Sequence, residues 1–208
     1  MTTATTRIGI VLGSTRPGRL GPQVAEWVRE TAAVHTTGVE FEIVDIADYG
    51  LPLLDEPVPA LMGAGTNPHT VRWSEKIRSL DGFLFVTPEY NRRAPSSLVN
   101  AMDYLYPEWT NKVVGYVGYG AHGALQAVDS LRAVAAAFKL ADIGPEQVTL
   151  TLAADFVNFQ ELKARPEQEE MLRKLLDELL AWTGALAPLR VAGAARAAEA
   201  VEPVPVAA

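Results

Sequence analysis

Hydrophobic and polar positions change period several times along the chain. Arg7–Leu12, Glu40–Val44, Gly82–Val86, Lys112–Val117 and Gln147–Leu152 are short, apolar, β-rich runs and read as five strands. Between them the spacing turns helical. In Pro22–Val34, Val24, Ala25, Trp27 and Val28 form an apolar stripe, and Pro22 suits the first helical position, where a missing N–H costs nothing. Further helices are predicted over about Pro68–Ser79, Ser96–Tyr106, Ala124–Lys139 and Pro166–Trp182, the last with acidic residues in its first turns, as the helix dipole favours. Ala47–Gly65 is rich in Pro, Gly and Leu and reads as a long ordered connection. Strands alternating with helices predict a single α/β domain over residues 1–184, with a doubly wound parallel sheet and helices on both faces. Residues 185–208 are rich in Ala, Pro and Val with little periodicity, which predicts a disordered tail or an arm lying on a partner subunit.

Three loops follow strands one, three and four, at the sheet end where such folds bind ligands. The first, Gly13-Ser14-Thr15-Arg16-Pro17-Gly18-Arg19-Leu20-Gly21-Pro22, joins glycines, hydroxyls and two arginines to the start of a helix. That is the layout of an anion cradle, in which backbone N–H groups converge and glycine permits close approach. It is not a P-loop, because Arg19-Leu20 stands where Lys and Ser/Thr belong, and G-x-G-x-x-G is absent, so nucleotide hydrolysis and a standard NAD site are disfavoured. A terminal phosphate monoester fits better: Ser14 and Thr15 donate hydroxyls, Arg16 a charged fork, and the Gly21–Gln23 turn backbone N–H. The second loop, Thr87-Pro88-Glu89-Tyr90-Asn91, offers a stiff backbone and an aromatic ring against which a flat heterocycle can lie. The third is Gly118-Tyr119-Gly120-Ala121-His122-Gly123. Together they imply one elongated, phosphorylated ligand at the crevice between strands one and three of an order 2-1-3-4-5.

Composition narrows the chemistry. The absence of cysteine removes disulfides, thiol nucleophiles and Cys-ligated metals; three scattered histidines without clustered carboxylates make a metal site improbable. A formal charge of −7 argues against nucleic-acid binding and gives weight to Arg16, Arg19, Arg92 and Arg93 as local holders of an anion. No apolar run approaches the roughly 20 residues of a membrane span, and no signal segment precedes the first strand, so the cytoplasm is the expected location. The G-x-S-x-G elbow of serine hydrolases is missing.

With these residues in hand, the chain resembles the NADPH-dependent FMN reductase family of flavodoxin-like proteins, which includes quinone, azo-dye and chromate reductases. Gly13-Ser14-Thr15-Arg16 is similar to the family's G-S-x-R phosphate loop. Thr87–Asn91, followed by Pro95, Leu98, Asn100, Ala101 and Asp103, is similar to its P-E-Y-N-x-x-x-P-x-x-L-K-N-A-x-D signature. Gly118–Gly123, with Leu131-Arg132, resembles its third flavin loop. The likeness spans about Arg7–Leu152. It implies a five-stranded flavodoxin-like sheet of order 2-1-3-4-5. It also implies FMN as cofactor, with Ser14, Thr15, Arg16 and the Leu20, Gly21, Pro22 and Gln23 turn at its phosphate. Pro88, Glu89, Tyr90 and Asn91 would border the isoalloxazine ring, and Gly118, Tyr119 and Gly120 its pyrimidine side. NADPH or NADH would supply hydride to the flavin, which would then reduce a quinone, azo compound, free flavin or similar small acceptor by a ping-pong route. The flavin carries the chemistry, so no catalytic side chain is required. Such proteins form dimers or tetramers, with Tyr104, Tyr106 and Trp109 as candidates for an interface.

Departures and alternatives bear on the second substrate. Val99 stands where the family has Lys, Ser96 where Gly is frequent, and Arg92 and Arg93 where residues are small or polar. Arg92 and Arg93 suit the 2′-phosphate of NADPH or an anionic acceptor, and equally surface or interface arginines. Glu89 reads as an acid or base, or as a solvated carboxylate at a strand end; Tyr90 as a ring contact or core packing. His122 reads as a surface group, His35 and His69 as exposed, and the four tryptophans as packing or interface residues. The competing functions are a flavodoxin-type electron carrier and a non-catalytic FMN-binding protein.

Overall fold

The computed structural model describes residues 5–199. Its chain order is β1 (Thr6–Leu12), α1 (Gly21–His35), β2 (Val39–Asp45), a 3-10 turn (Ile46–Tyr49), α2 (Pro68–Arg78), β3 (Gly82–Pro88) and α3 (Ser96–Asp103). There follow β4 (Val113–Gly120), α4 (Leu125–Ala137), β5 (Ala141–Asp142), β6 (Val148–Thr151), the short α5 (Leu152–Asp155), a hairpin of β7 (Phe156–Val157) and β8 (Glu161–Leu162), and α6 (Pro166–Glu199). The strands of the main sheet lie parallel in the order β2-β1-β3-β4-β5, the flavodoxin-like order. The far edge differs from the single fifth strand expected there. Both Ala141–Asp142 and Val148–Thr151 pair with β4, one near its start and the other near its end, so two short strands share that position.

Strands in the middle of a parallel sheet are covered on both faces, which is why β3 and most of β1 and β4 read as unbroken apolar runs and are buried. Alternation then sorts the side chains. Val11, Phe83, Phe85 and Tyr116 pack under α2, α3 and α4 with Trp73, Trp109, Leu98, Met102 and Leu131. Ile8, Ile10, Leu12, Leu84, Val86 and Val117 face α1 and α6, meeting Val24, Val28, Leu172, Leu175, Leu176 and Leu179. Burying one such side chain contributes about 1.5–3 kcal/mol. The indole N–H groups of Trp73 and Trp109 donate to the carbonyls of Ala101 (2.8 Å) and Met102 (3.1 Å), so both tryptophans are packing residues.

Tyr104 and Trp109 are buried within the chain and do not serve an interface; Tyr106 packs against Phe138, with ring centroids 5.7 Å apart. The connection after the 3-10 turn is ordered, as its composition suggests. Asn100 holds it through Leu54 N–H (2.9 Å) and the Pro52 carbonyl (2.7 Å), and Tyr104 donates to Asp55 (2.8 Å). His69 and His35 are not exposed: each is partly buried against a carboxylate, Asp55 and Asp177.

α6 runs past Trp182 and through Pro188 to Glu199. The Arg190 guanidinium donates to the Thr183 carbonyl at 2.8 Å and reaches Asp81, which fastens this part of the helix to the amino end of the sheet. Residues 185–199 are thus helical, and the rest of the expected tail, 200–208, lies outside the described residues. Among the described residues no helix is long and apolar enough to cross a membrane.

Candidate functional site

The first two loops meet at the carboxyl end of β1 and β3. Ser14 is buried, and its Oγ lies 2.7 Å from the Tyr90 hydroxyl; Arg16 Nε donates to the same hydroxyl at 3.2 Å. Tyr90 is therefore not core packing: it ties the second loop to the first. Ser97 at the start of α3 donates to the Gly13 carbonyl (2.7 Å), and the Gly13 N–H to the Val86 carbonyl (3.0 Å). A Cβ at Gly13 would lie 2.9 Å from Leu98 Cδ2 and 3.3 Å from the Val86 carbonyl, so the loop passes close to both α3 and β3 there.

The start of α1 lacks the side-chain cap that most helices carry. Leu20 occupies the N-cap and, among the described residues, no side chain caps the first turn, which also contains no acid. The first N–H groups of a helix left in that state carry a partial positive charge. Pro22 stands second in the helix and not first. Arg16 is exposed beside this turn. Arg19 is diverted: it forms an ion pair with Asp45 at the end of β2, and its Nε is buried without a partner among the described residues. Thr15 is exposed.

The Gln23 side chain has a role of its own, beside that expected of the turn's backbone. Its side-chain amide donates to the Gln160 carbonyl (2.8 Å) and accepts from Leu162 N–H (3.0 Å), clasping the β7–β8 hairpin against α1. That hairpin is held in turn by the buried Asp155, which accepts from Thr151 N–H (2.8 Å) and the Arg165 guanidinium (2.9 Å). Burial opposes the charge on Asp155, but Arg165 and these N–H groups outweigh it and hold the carboxyl below its usual range.

The Glu89 carboxylate is engaged within the chain as a helix cap. Its Oε2 accepts from the N–H groups of Gln126 (3.0 Å) and Ala127 (3.2 Å), supplying the cap that Ala124, in left-handed backbone at φ 60°, cannot give α4. The residues after it form a two-residue hairpin, with Tyr90 and Arg93 exchanging N–H and carbonyl bonds at 3.0 and 3.1 Å. Asn91 and Arg92 lie at φ 51° and 65°. Two successive left-handed residues are the mark of such a turn; Asn tolerates this, whereas Arg is strained. The turn presents Arg92 and Arg93 to solvent, with no carboxylate in salt-bridge range among the described residues.

The third loop begins later than its sequence suggests. Gly118, Tyr119 and Gly120 belong to β4 and pair with Thr149, Leu150 and Thr151 of β6, while Thr87 and Pro88 pair with Gly118 and Tyr119 from the other side. A side chain at Gly118 would meet the Gly123 carbonyl at 2.4 Å. Gly118 is therefore a packing glycine inside the sheet, and the exposed turn proper is Ala121–His122. Tyr119 points to the α1 side of the sheet, as Val117 does two residues earlier, and its phenol is 4% exposed. Its hydroxyl approaches Gly21, where a Cβ would come within 3.1 Å of it, and it has no hydrogen-bond partner among the described residues. The side chain's direction is carried by the period of two in β4, although the glycines around it suggest a loop.

An uncapped first turn, an arginine beside it and a buried hydroxyl without an acceptor fit the phosphate of FMN. The sheet defines a flavodoxin-like protein, with an uncapped helix start after its first strand. The family model for NADPH-dependent FMN reductase matches residues 6–155, and the chain belongs to that family. It is accordingly an oxidoreductase that works with FMN and NAD(P)H. It is 40% identical over 153 residues to the NAD(P)H-dependent FMN reductase C4B3.06c of Schizosaccharomyces pombe, covering 73% of this chain and 76% of that one. It is 34% identical over 133 residues to a quinone reductase of Pseudomonas putida, covering 57% and 67%. Among solved structures, FerB, a flavoenzyme NAD(P)H:(acceptor) oxidoreductase from Paracoccus denitrificans, shares the fold with a TM-score of 0.66 at 22% identity, over 86% of this chain and 98% of that one.

Proposed function

We propose that this protein holds FMN by its phosphate at the start of α1, with Ser14, Arg16 and the Gly21 turn, and transfers reducing equivalents from NAD(P)H to a small acceptor of quinone type in a ping-pong sequence. The observation that carries the reading is the uncapped first turn of α1, flanked by Arg16 and by the Ser14–Tyr90 contact. Bound FMN supplies the hydride-accepting and electron-donating chemistry; the chain supplies position and electrostatics. The Tyr90–Arg93 turn and the Ala121–His122 turn flank the seat of the ring, and Glu89 fixes their separation by binding α4 from within the second loop.

Protein that is yellow as purified, or after addition of FMN, and bleaches with NADPH under anaerobic conditions supports this reading. Colour that NADPH and NADH leave unchanged favours an electron carrier, and a protein that takes up no FMN overturns the assignment. Reoxidation by a panel of quinones, azo compounds and free flavin identifies the acceptor class.

Arg92 and Arg93 form the second-substrate contact in this reading, as receivers of the 2′-phosphate of NADPH. Their exposure beside the ring loop and their lack of carboxylate partners among the described residues support it. Arg92→Ala and Arg93→Ala are expected to lower kcat/KM for NADPH about tenfold and leave NADH unaffected, as loss of one charge-assisted contact implies. An unchanged ratio of the two nicotinamides retires the idea. Assembly into a homodimer or tetramer in the cytoplasm is part of the same proposal; exposed Leu53, Leu61 and Met62 on the ordered connection support an assembly surface.

A further inference from the structure

A buried hydroxyl with no partner is uncommon, because leaving it so costs about 1–3 kcal/mol. Tyr119 is such a group, and its location is informative. It rises from β4 on the α1 side of the sheet and ends against the first residue of an uncapped helix. The path is open only because residue 21 is glycine: a Cβ there would lie 2.9 Å from Leu12 Cδ2 and 3.1 Å from the phenol oxygen. The charges of Arg16 and Arg19 act on this phenol, and burial raises its pKa, so it stays protonated and able to donate. Among its neighbours, the Ser14 hydroxyl is engaged with Tyr90 and one nitrogen of Arg19 with Asp45, while Arg19 Nε is also buried without a partner among the described residues. The phenolic proton is thus a donor without an acceptor, at a place where positive potential invites an anion.

We propose that Tyr119 is a positioning and specificity-determining residue. Its hydroxyl donates to the phosphate monoester seated at the start of α1, and makes the site select the phosphorylated flavin over the flavin lacking that group. This rests on the FMN reading above. It replaces the expected place of Tyr119 at the pyrimidine edge with one at the opposite end of the ligand.

The test is a binding titration of the full chain, stripped of flavin, followed by quenching of free flavin fluorescence, with FMN and riboflavin as separate probes. Tyr119→Phe keeps the ring and removes only the hydroxyl. It is expected to raise the Kd of FMN about tenfold or more while the Kd of riboflavin stays within about twofold, as a hydrogen bond to a charged group implies. Inorganic phosphate should also compete less well against FMN in the variant, relative to each protein's own FMN affinity. Equal losses for both flavins make Tyr119 a packing residue and overturn the inference, as does no loss for either. Arg16→Ala, run in parallel, separates the two levels. If it weakens FMN and Tyr119→Phe does not, only the inference falls; if neither change matters, the anion seat itself is misplaced.

Discussion

The two ends of the sheet treat charge in opposite ways. At the amino end the ionic groups are paired. Arg7 bonds Glu42 (3.1 Å) and the Ser79 carbonyl (3.0 Å), Lys76 bonds Glu42, Arg78 bonds the buried Glu108 (2.9 Å), and Arg190 reaches Asp81. The buried Lys112 ammonium caps α2 through the Ile77 carbonyl (2.6 Å) and lies 5.6 Å from the centre of the Phe83 ring. At the carboxyl end Arg19 is paired with Asp45 and Arg165 with Asp155, but the first turn of α1, the Tyr119 hydroxyl and the guanidinium groups of Arg92 and Arg93 have no side-chain partners among the described residues. The same residue types thus stabilise the fold at one end and, in the proposed reading, are left for a ligand at the other. What separates structural from functional charge here is whether the protein already satisfies it.

The contrast is open to attack at both ends. The largest effect is expected from Lys112. Burial lowers its pKa to about 7, against 10.5 for the exposed group. Between those values the unfolded chain holds a proton that the folded chain lacks, so stability rises with pH from about 7 to 10.5 through this residue, on the order of 5 kcal/mol in all. Urea titrations across that window should show the rise in the parent protein and its loss in Lys112→Met; identical pH profiles would mean that the amine is not buried as described. At the opposite end, Arg16→Ala is expected to weaken FMN by about 1.5–3 kcal/mol, or roughly 10- to 150-fold in Kd, with little change in melting temperature, because Arg16 is exposed. Unaltered flavin content would refute the phosphate seat. The smallest effect is expected at Glu89, which is structural despite its place in the ligand loop. Glu89→Ala should cost about 1 kcal/mol of stability as a lost helix cap, and Glu89→Gln should restore most of it. A flavin site that loses activity with Glu89→Gln while stability is unchanged would restore Glu89 to an acid–base role.

Much of the sheet was legible because each strand repeats its message several times: seven residues of β3, all buried, leave little room for another reading. The far edge was not, since Ala141–Asp142 is too short to show any alternation and is defined only by its pairing with Val113 and Val114. The end of α6 was hidden by Gly184 and Pro188, which usually break helices; here an Ala-rich stretch continues through them, fastened by Arg190 to Asp81, a contact that no local pattern announces. In the site, the loops could be found from their glycines, but not what their side chains do. Glu89 binds residues more than thirty positions away, and Gln23 a hairpin more than a hundred away, so both looked like ligand contacts. Tyr119 was the reverse: its direction followed from Val117, yet the surrounding glycines drew it into a loop.

Gln23 also explains how α1 can begin without a cap. A serine or aspartate at that point would brace the turn, but its oxygen would occupy the place of the proposed phosphate. Here the brace comes from the flank, through one amide that both gives and takes a hydrogen bond with the β7–β8 hairpin. The chain thereby obtains stiffness at the mouth of the helix without spending the seat on itself.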